Sequence, residues 1–182
     1  MRRIFLKILF LLVLFSFCSV SFPQSIKSKV ENVIKQSFAD EISFKVKKVK
    51  IPTGIKKEIE NEVKQKFFKD EVYVYDIYHN KNKTAVAILD NVYGKSMPIT
   101  FLTIFDTTGS IISTSIIKYR EPYGGAVSSE KWNAQFKGLN NESKFAVGNN
   151  INSITGATIS VKSVTKGIHK LTLLYNKMKN EL

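Results

Sequence analysis

The chain has 182 residues, 43% of them hydrophobic, and a formal charge of +13. That is enough apolar chain for one real core. Cys18 is the only cysteine, and His79 and His169 lie far apart in sequence, which excludes an internal disulfide, a Cys-His zinc site and a Cys-x-x-Cys-His haem attachment. Any redox function therefore needs an organic cofactor, and no basic-aromatic motif for nucleic acid is present.

The N-terminus reads as an export signal. Met1-Arg2-Arg3 is basic, Ile8 to Phe17 is apolar apart from Ser16, and Ser19 and Ser21 are small residues where a signal peptidase reads. That order predicts a secretory signal over residues 1–21, cleaved before Phe22. Its apolar run is shorter than the roughly 17–25 residues that span a bilayer; an uncleaved anchor is the alternative. Phe17 stands where a lipoprotein signal would place a small residue before Cys18. Removing 21 of the 182 residues leaves 161 and takes away Arg2, Arg3 and Lys7, so the formal charge falls from +13 to +10. The charge is either a solvated surface or an attraction to an acidic partner or anionic lipid headgroups. The expected location is outside the cytoplasm, periplasmic or at the outer face of the cytoplasmic membrane.

Ile26, Val30, Val33, Ile34 and Phe38 recur at helical spacing, so Ser25 to Phe38 is an expected amphipathic helix. Ile42 to Ile51 reads as a basic strand stopped by Pro52. Thr53 is the expected N-cap of a second helix bearing Ile55, Ile59, Val63 and Phe67 on one face. Beyond Asp70 the residues become β-branched and aromatic. Strands are expected at Val72 to Tyr78, Thr84 to Leu89, Ile99 to Phe105 and Ile111 to Tyr119, with turns at Asn80-Lys81-Asn82 and Asp106 to Gly109. The last two strands should form an antiparallel hairpin. Ser129 to Phe136 is a short helix that buries Trp132 and Phe136. A final helix, Val161 to Met178, carries a stripe of Val161, Val164, Ile168, Leu171 and Tyr175. The expected class is α+β, an antiparallel sheet with flanking helices. The expected divisions are a signal at 1–21, a helix-strand-helix region at 22–70 and one domain at 71–182.

Two segments do not look like scaffolding. Tyr119-Arg120-Glu121-Pro122-Tyr123-Gly124-Gly125 follows a strand, and its paired glycines allow backbone to approach a ligand closely. Composition alone also permits a tight turn, with Glu121 an ordinary surface acid. Asn152 to Ser160 leads into the last helix. Gly156 and Ala157 leave Thr158 uncrowded, and Ser160 is the expected N-cap. A phosphate on Thr158 would lie beside free backbone N–H groups at the positive end of the helix. A Ser/Thr-rich capping loop is the plainer alternative.

Thr155-Gly156-Ala157-Thr158 resembles the flavinylation motif of the FMN-binding domain family, which includes peripheral subunits of Na+-translocating NADH:quinone reductase and related electron-transport complexes. Tyr119 to Gly125, followed by Trp132 and Gln135-Phe136-Lys137-Gly138, is similar to that family's upstream stretch. The resemblance covers roughly Val72 to Leu174. It implies covalent FMN, joined by its phosphate to Thr158 by a separate magnesium-dependent flavin transferase that splits FAD. On that resemblance Thr155, Gly156 and Ala157 are expected to shape the phosphate loop and Glu121, Gly124 and Gly125 to form the opposing wall, with Trp132 a candidate for ring contact. It also implies a redox partner protein or a membrane electron-transport complex. Asn152 stands where the family usually has Asp, and Ala126 where it often has Glu.

The expectation is an exported FMN carrier that relays electrons, rather than an enzyme with its own substrate. Two alternatives stand beside it. One is a flavin-dependent reductase, although no Gly-x-Gly-x-x-Gly fingerprint for a nicotinamide cofactor is present. The other is a cofactor-free periplasmic binding or adaptor domain.

Overall fold

The computed structural model describes residues 25–182. The expected signal over 1–21, its cleavage point and Cys18 lie outside the described residues. Helix α1 (Ile26–Gln36) starts at Ser25, whose hydroxyl accepts from the Ser28 N–H at 3.1 Å, a serine N-cap. Strand β1 (Ser43–Lys50) follows, then α2 (Thr53–Val63). Here the expectation for Thr53 is corrected. Pro52 holds the extended cap position and Thr53 is the first helical residue, with no side-chain cap. Proline presets φ for a helix entry, and its carbonyl takes the Lys56 N–H at 2.9 Å.

Four strands come next: β2 (Glu71–His79), β3 (Asn82–Tyr93), β4 (Pro98–Asp106) and β5 (Ile111–Lys118). With β1 they form one five-stranded antiparallel meander in the order β1-β2-β3-β4-β5. Asn80 and Lys81 take positive φ in the β2–β3 turn. A short helix α3 (Glu130–Asn133) is flanked by 3-10 turns at Gly125–Ser128 and Ala134–Phe136 and buries Trp132 and Phe136. The long α4 (Thr158–Met178) ends the chain's regular structure. This is the α+β arrangement that the sequence implies.

Alternation along the strands feeds two cores. Val74, Ile88, Phe101 and Phe105 pack with α2, α3 and α4 on one face. Tyr75, Ile77, Leu102 and Ile104 pack with Val30 and Ile34 of α1 on the other. Residues before Asp70 are thus built into the same body: β1 pairs with β2 along its whole length and α2 lies against α4. Gly167 sets how closely α4 approaches the sheet, since a Cβ there would fall 2.7 Å from Val92 and 2.8 Å from Phe101. Three residues further along, the fully buried Lys170 pairs with Asp90 at 3.1 Å and donates to the Lys66 carbonyl. Removing either charge would strand the other in the core, at about 3–5 kcal/mol. These contacts fix the middle of α4 against the sheet and against the segment that follows α2.

Candidate functional site

The two glycine-bearing segments meet at the start of α4. With the β3–β4 turn they surround a cavity of about 440 Å³, within the range of ligand clefts. Glu121, Gly124, Gly156, Ala157 and Thr158 line it, joined by Lys95 and Ser96 from the turn.

Each wall has a physical reason for its shape. Gly94 N–H donates to the Met97 carbonyl at 3.0 Å and closes the turn. The Glu121 carboxylate accepts from the backbone N–H groups of Ser96 and Met97 at 2.7 and 2.8 Å and from the Ser96 hydroxyl at 3.2 Å. A Cβ at position 94 would lie 2.5 Å from Glu121 Oε1, so only glycine leaves room for this clasp. The N–H groups of Met97 and Ser96 hold the Glu121 carboxyl below its ordinary range. Glu121 is thus a clasp and a weak base.

The opposite wall is held by a hydroxyl pair. Tyr119 Oη donates to the Tyr123 carbonyl and lies 2.8 Å from Ser160 Oγ. With the tyrosine proton committed, the serine hydroxyl is the donor of the second bond. Gly124 sits against this pair at φ +82°. A Cβ there would fall 2.8 Å from Tyr119 Oη and 3.1 Å from Ser160 Oγ. Ser160 is therefore not the N-cap. It is buried inside the first turn, and Ala157 occupies the cap position without a side-chain bond. The error has a simple cause: a serine near a helix start satisfies the capping pattern whichever way its hydroxyl is used.

Thr158 is exposed and is the first residue of α4. The first intrahelical bond is Val161 N–H to the Ala157 carbonyl at 2.9 Å. The N–H groups of Thr158, Ile159 and Ser160 precede it and are free of intrahelical partners. Gly156 takes φ +78° with open space where a Cβ would stand. An anion esterified to Thr158 would meet free donors, the positive end of a 21-residue helix and an uncrowded loop. The residues present fit a flavin phosphate.

Other expected residues fall elsewhere. Gly125 opens the 3-10 turn beside the Tyr119 ring, and Thr155 is exposed in the loop; neither lines the cavity. Trp132 is buried edge-on against Phe136, and its indole N–H donates to the Asn152 carbonyl at 2.9 Å. Asn152 N–H in turn donates to Gln135 Oε1 at 2.7 Å. Trp132 and Gln135 thus anchor the start of the loop. His169 is stacked on Phe145 at 4.6 Å, and burial lowers its pKa; neither His169 nor the half-buried His79 lines the cavity. The turn residues Gly94 and Lys95 and the role of Tyr119 were missed by sequence reasoning. A Gly-Lys-Ser turn carries no signal of its own until the strands around it are paired.

The family model described as FMN-binding domain matches residues 94–172. This segment is an FMN-binding domain. Every cavity-lining residue falls within it, whereas α1, β1, α2, β2 and β3 precede it. A curated relative from Acetobacterium woodii, one of the subunits of the Na(+)-translocating ferredoxin:NAD(+) oxidoreductase complex, is similar over 94 residues at 33% identity. The alignment takes in 47% of this chain and 45% of the relative, so the chain spans less than half of that protein's length.

Proposed function

We propose that this chain is an exported redox protein that carries FMN in phosphoester linkage to Thr158 and relays electrons outside the cytoplasm. One observation carries the reading. The glycine loop at Gly124, the Gly156-Ala157 loop and the exposed Thr158 line one cavity in a segment that belongs to the FMN-binding domains. The basic, apolar and small residues at the N-terminus support export.

Attachment is balanced as a transfer. The Thr158 O–H bond and the P–O–P link of FAD break, an Oγ–P bond forms, and AMP leaves with the proton. A threonine hydroxyl is a weak nucleophile and needs a base. Glu121 is a poor one, because backbone N–H groups hold its carboxylate in the ionised form. The base therefore comes from outside the chain, in line with a separate flavin transferase. What the chain supplies is an exposed hydroxyl, three free N–H groups and glycine backbone.

When bound, FMN supplies reversible electron transfer, and the protein orients it and sets its surroundings. The similarity to one component of a Na(+)-translocating ferredoxin:NAD(+) oxidoreductase complex supports a membrane electron-transport complex as the partner. The basic surface supports association with an acidic protein or anionic membrane face. Protein made together with a flavin transferase should stay yellow after denaturation and washing, and its exported form should begin at Phe22. Colourless washed protein would contradict the covalent reading. Saturable turnover of a small substrate by the isolated protein would make it an enzyme instead of a carrier.

A further inference from the structure

Among the described residues, the cavity has one cationic side chain in its lining, Lys95. The Lys95 ammonium has no carboxylate within 4.0 Å among those residues. The neighbouring acid, Glu121, does not pair with it, because the carboxylate is engaged with the N–H groups of Ser96 and Met97. Those same bonds fix the turn on which Lys95 sits, and Gly94 is kept small to admit them. A carboxylate that immobilises a turn while leaving its lysine unpaired presents a positive charge to whatever fills the cavity. If the phosphate is at Thr158, the ring has the turn on one side and Pro122, Tyr123 and Gly124 on the other.

We infer that Lys95 is a tuning residue for the flavin: its ammonium faces the ring and favours the reduced form. Uptake of two electrons and one proton leaves the ring with a negative charge that the oxidised ring lacks. A cation nearby stabilises that charge by Coulomb attraction, weakened by solvent and salt at an exposed site. The inference rests on the functional reading above.

The test compares wild type, Lys95→Gln, Lys95→Arg and Lys35→Gln, each loaded by the transferase. Lys35 is exposed on α1, over the opposite face of the sheet, and its replacement removes the same charge from a remote place. Loading is first scored by intact mass, then each protein is titrated with dithionite against a reference dye. The expected result is a threefold to tenfold loss in the reduced-to-oxidised equilibrium constant for Lys95→Gln; tenfold is about 30 mV for a two-electron couple. Lys95→Arg should restore it, Lys35→Gln should leave it unchanged, and high salt should shrink the difference. Full loading with equal potentials in wild type and Lys95→Gln would overturn the assignment. Slower loading with equal potentials would place the ammonium on the phosphate and overturn it too. Wild type without FMN mass would overturn the functional reading and this inference together.

Discussion

Helices α2 and α4 begin alike and are used differently. Both open on a threonine, Thr53 and Thr158, and neither has a side-chain cap. Both starts border a hollow of similar size, about 410 Å³ at α2 and about 440 Å³ at α4. At α2 the hollow is lined by four lysines and two acids, and both acids are paired: Lys56 meets Asp70 at 2.6 Å, and Lys66 meets Glu60 at 2.9 Å. At α4 the walls are glycine backbone, a clasped carboxylate and a hydroxyl pair. A helix start with a threonine is therefore no site in itself. The loop pressed against it, through Gly124, Tyr119 and Ser160, is what distinguishes α4.

That contrast is open to direct attack. The largest effect is expected at the threonines. Thr158→Ala should abolish covalent flavin, seen as loss of in-gel fluorescence, while thermal unfolding stays close to wild type because the side chain is exposed. Thr53→Ala should load normally. Equal loading in the two variants would erase the distinction.

Next come the glycines. Gly124→Ala puts a methyl group against Tyr119 and Ser160 in a left-handed backbone, and should cost more than about 1 kcal/mol and slow loading at least severalfold. Gly54→Ala meets open space near the start of α2 and should raise stability by up to about 1 kcal/mol. Urea unfolding and a loading time course measure both.

Tyr119→Phe should have a smaller effect. It removes the bond to the Tyr123 carbonyl and leaves the buried Ser160 hydroxyl without its partner, at about 1–2 kcal/mol. Hydrogen exchange should quicken in 119–125 and at the start of α4, and stay unchanged in α2.

The smallest effect is electrostatic. The folded-state pKa of Glu121 is lowered, so its stabilising contribution is present above the unfolded carboxyl pKa and lost as acid protonates the folded form. Wild type should therefore melt above Glu121→Gln at pH 7, with the gap closing below about pH 4. A gap that persists at low pH would mean that shape and not charge holds the β3–β4 turn.

Much of the frame is legible in the sequence because period and burial agree. Val161, Val164, Ile168, Leu171 and Tyr175 repeat at helical spacing and are all buried in α4. The β-branched runs after Asp70 pair as strands, and Trp132 and Phe136 go inside as their size suggests. Capping is less legible. Thr53 and Ser160 both fit the residue preference, yet Pro52 takes one cap position and Tyr119 takes the hydroxyl of the other. The cavity's third wall is not legible at all. Lys95 and Ser96 reach it only because β3 and β4 pair from Ala85 with Asp106 through Tyr93 with Pro98, carrying their turn to the start of α4. Spacing along the chain contains no trace of that meeting.

The central claim is a covalent bond at one residue, and one spectrum tests it. Trypsin should release Phe145 to Lys162, which contains Thr158, from protein matured with a flavin transferase. Fragmentation should place the mass of FMN less one water on Thr158. An unmodified Phe145 to Lys162 peptide from a yellow protein, or the added mass on Thr155, Ser153 or any other residue, would contradict the account.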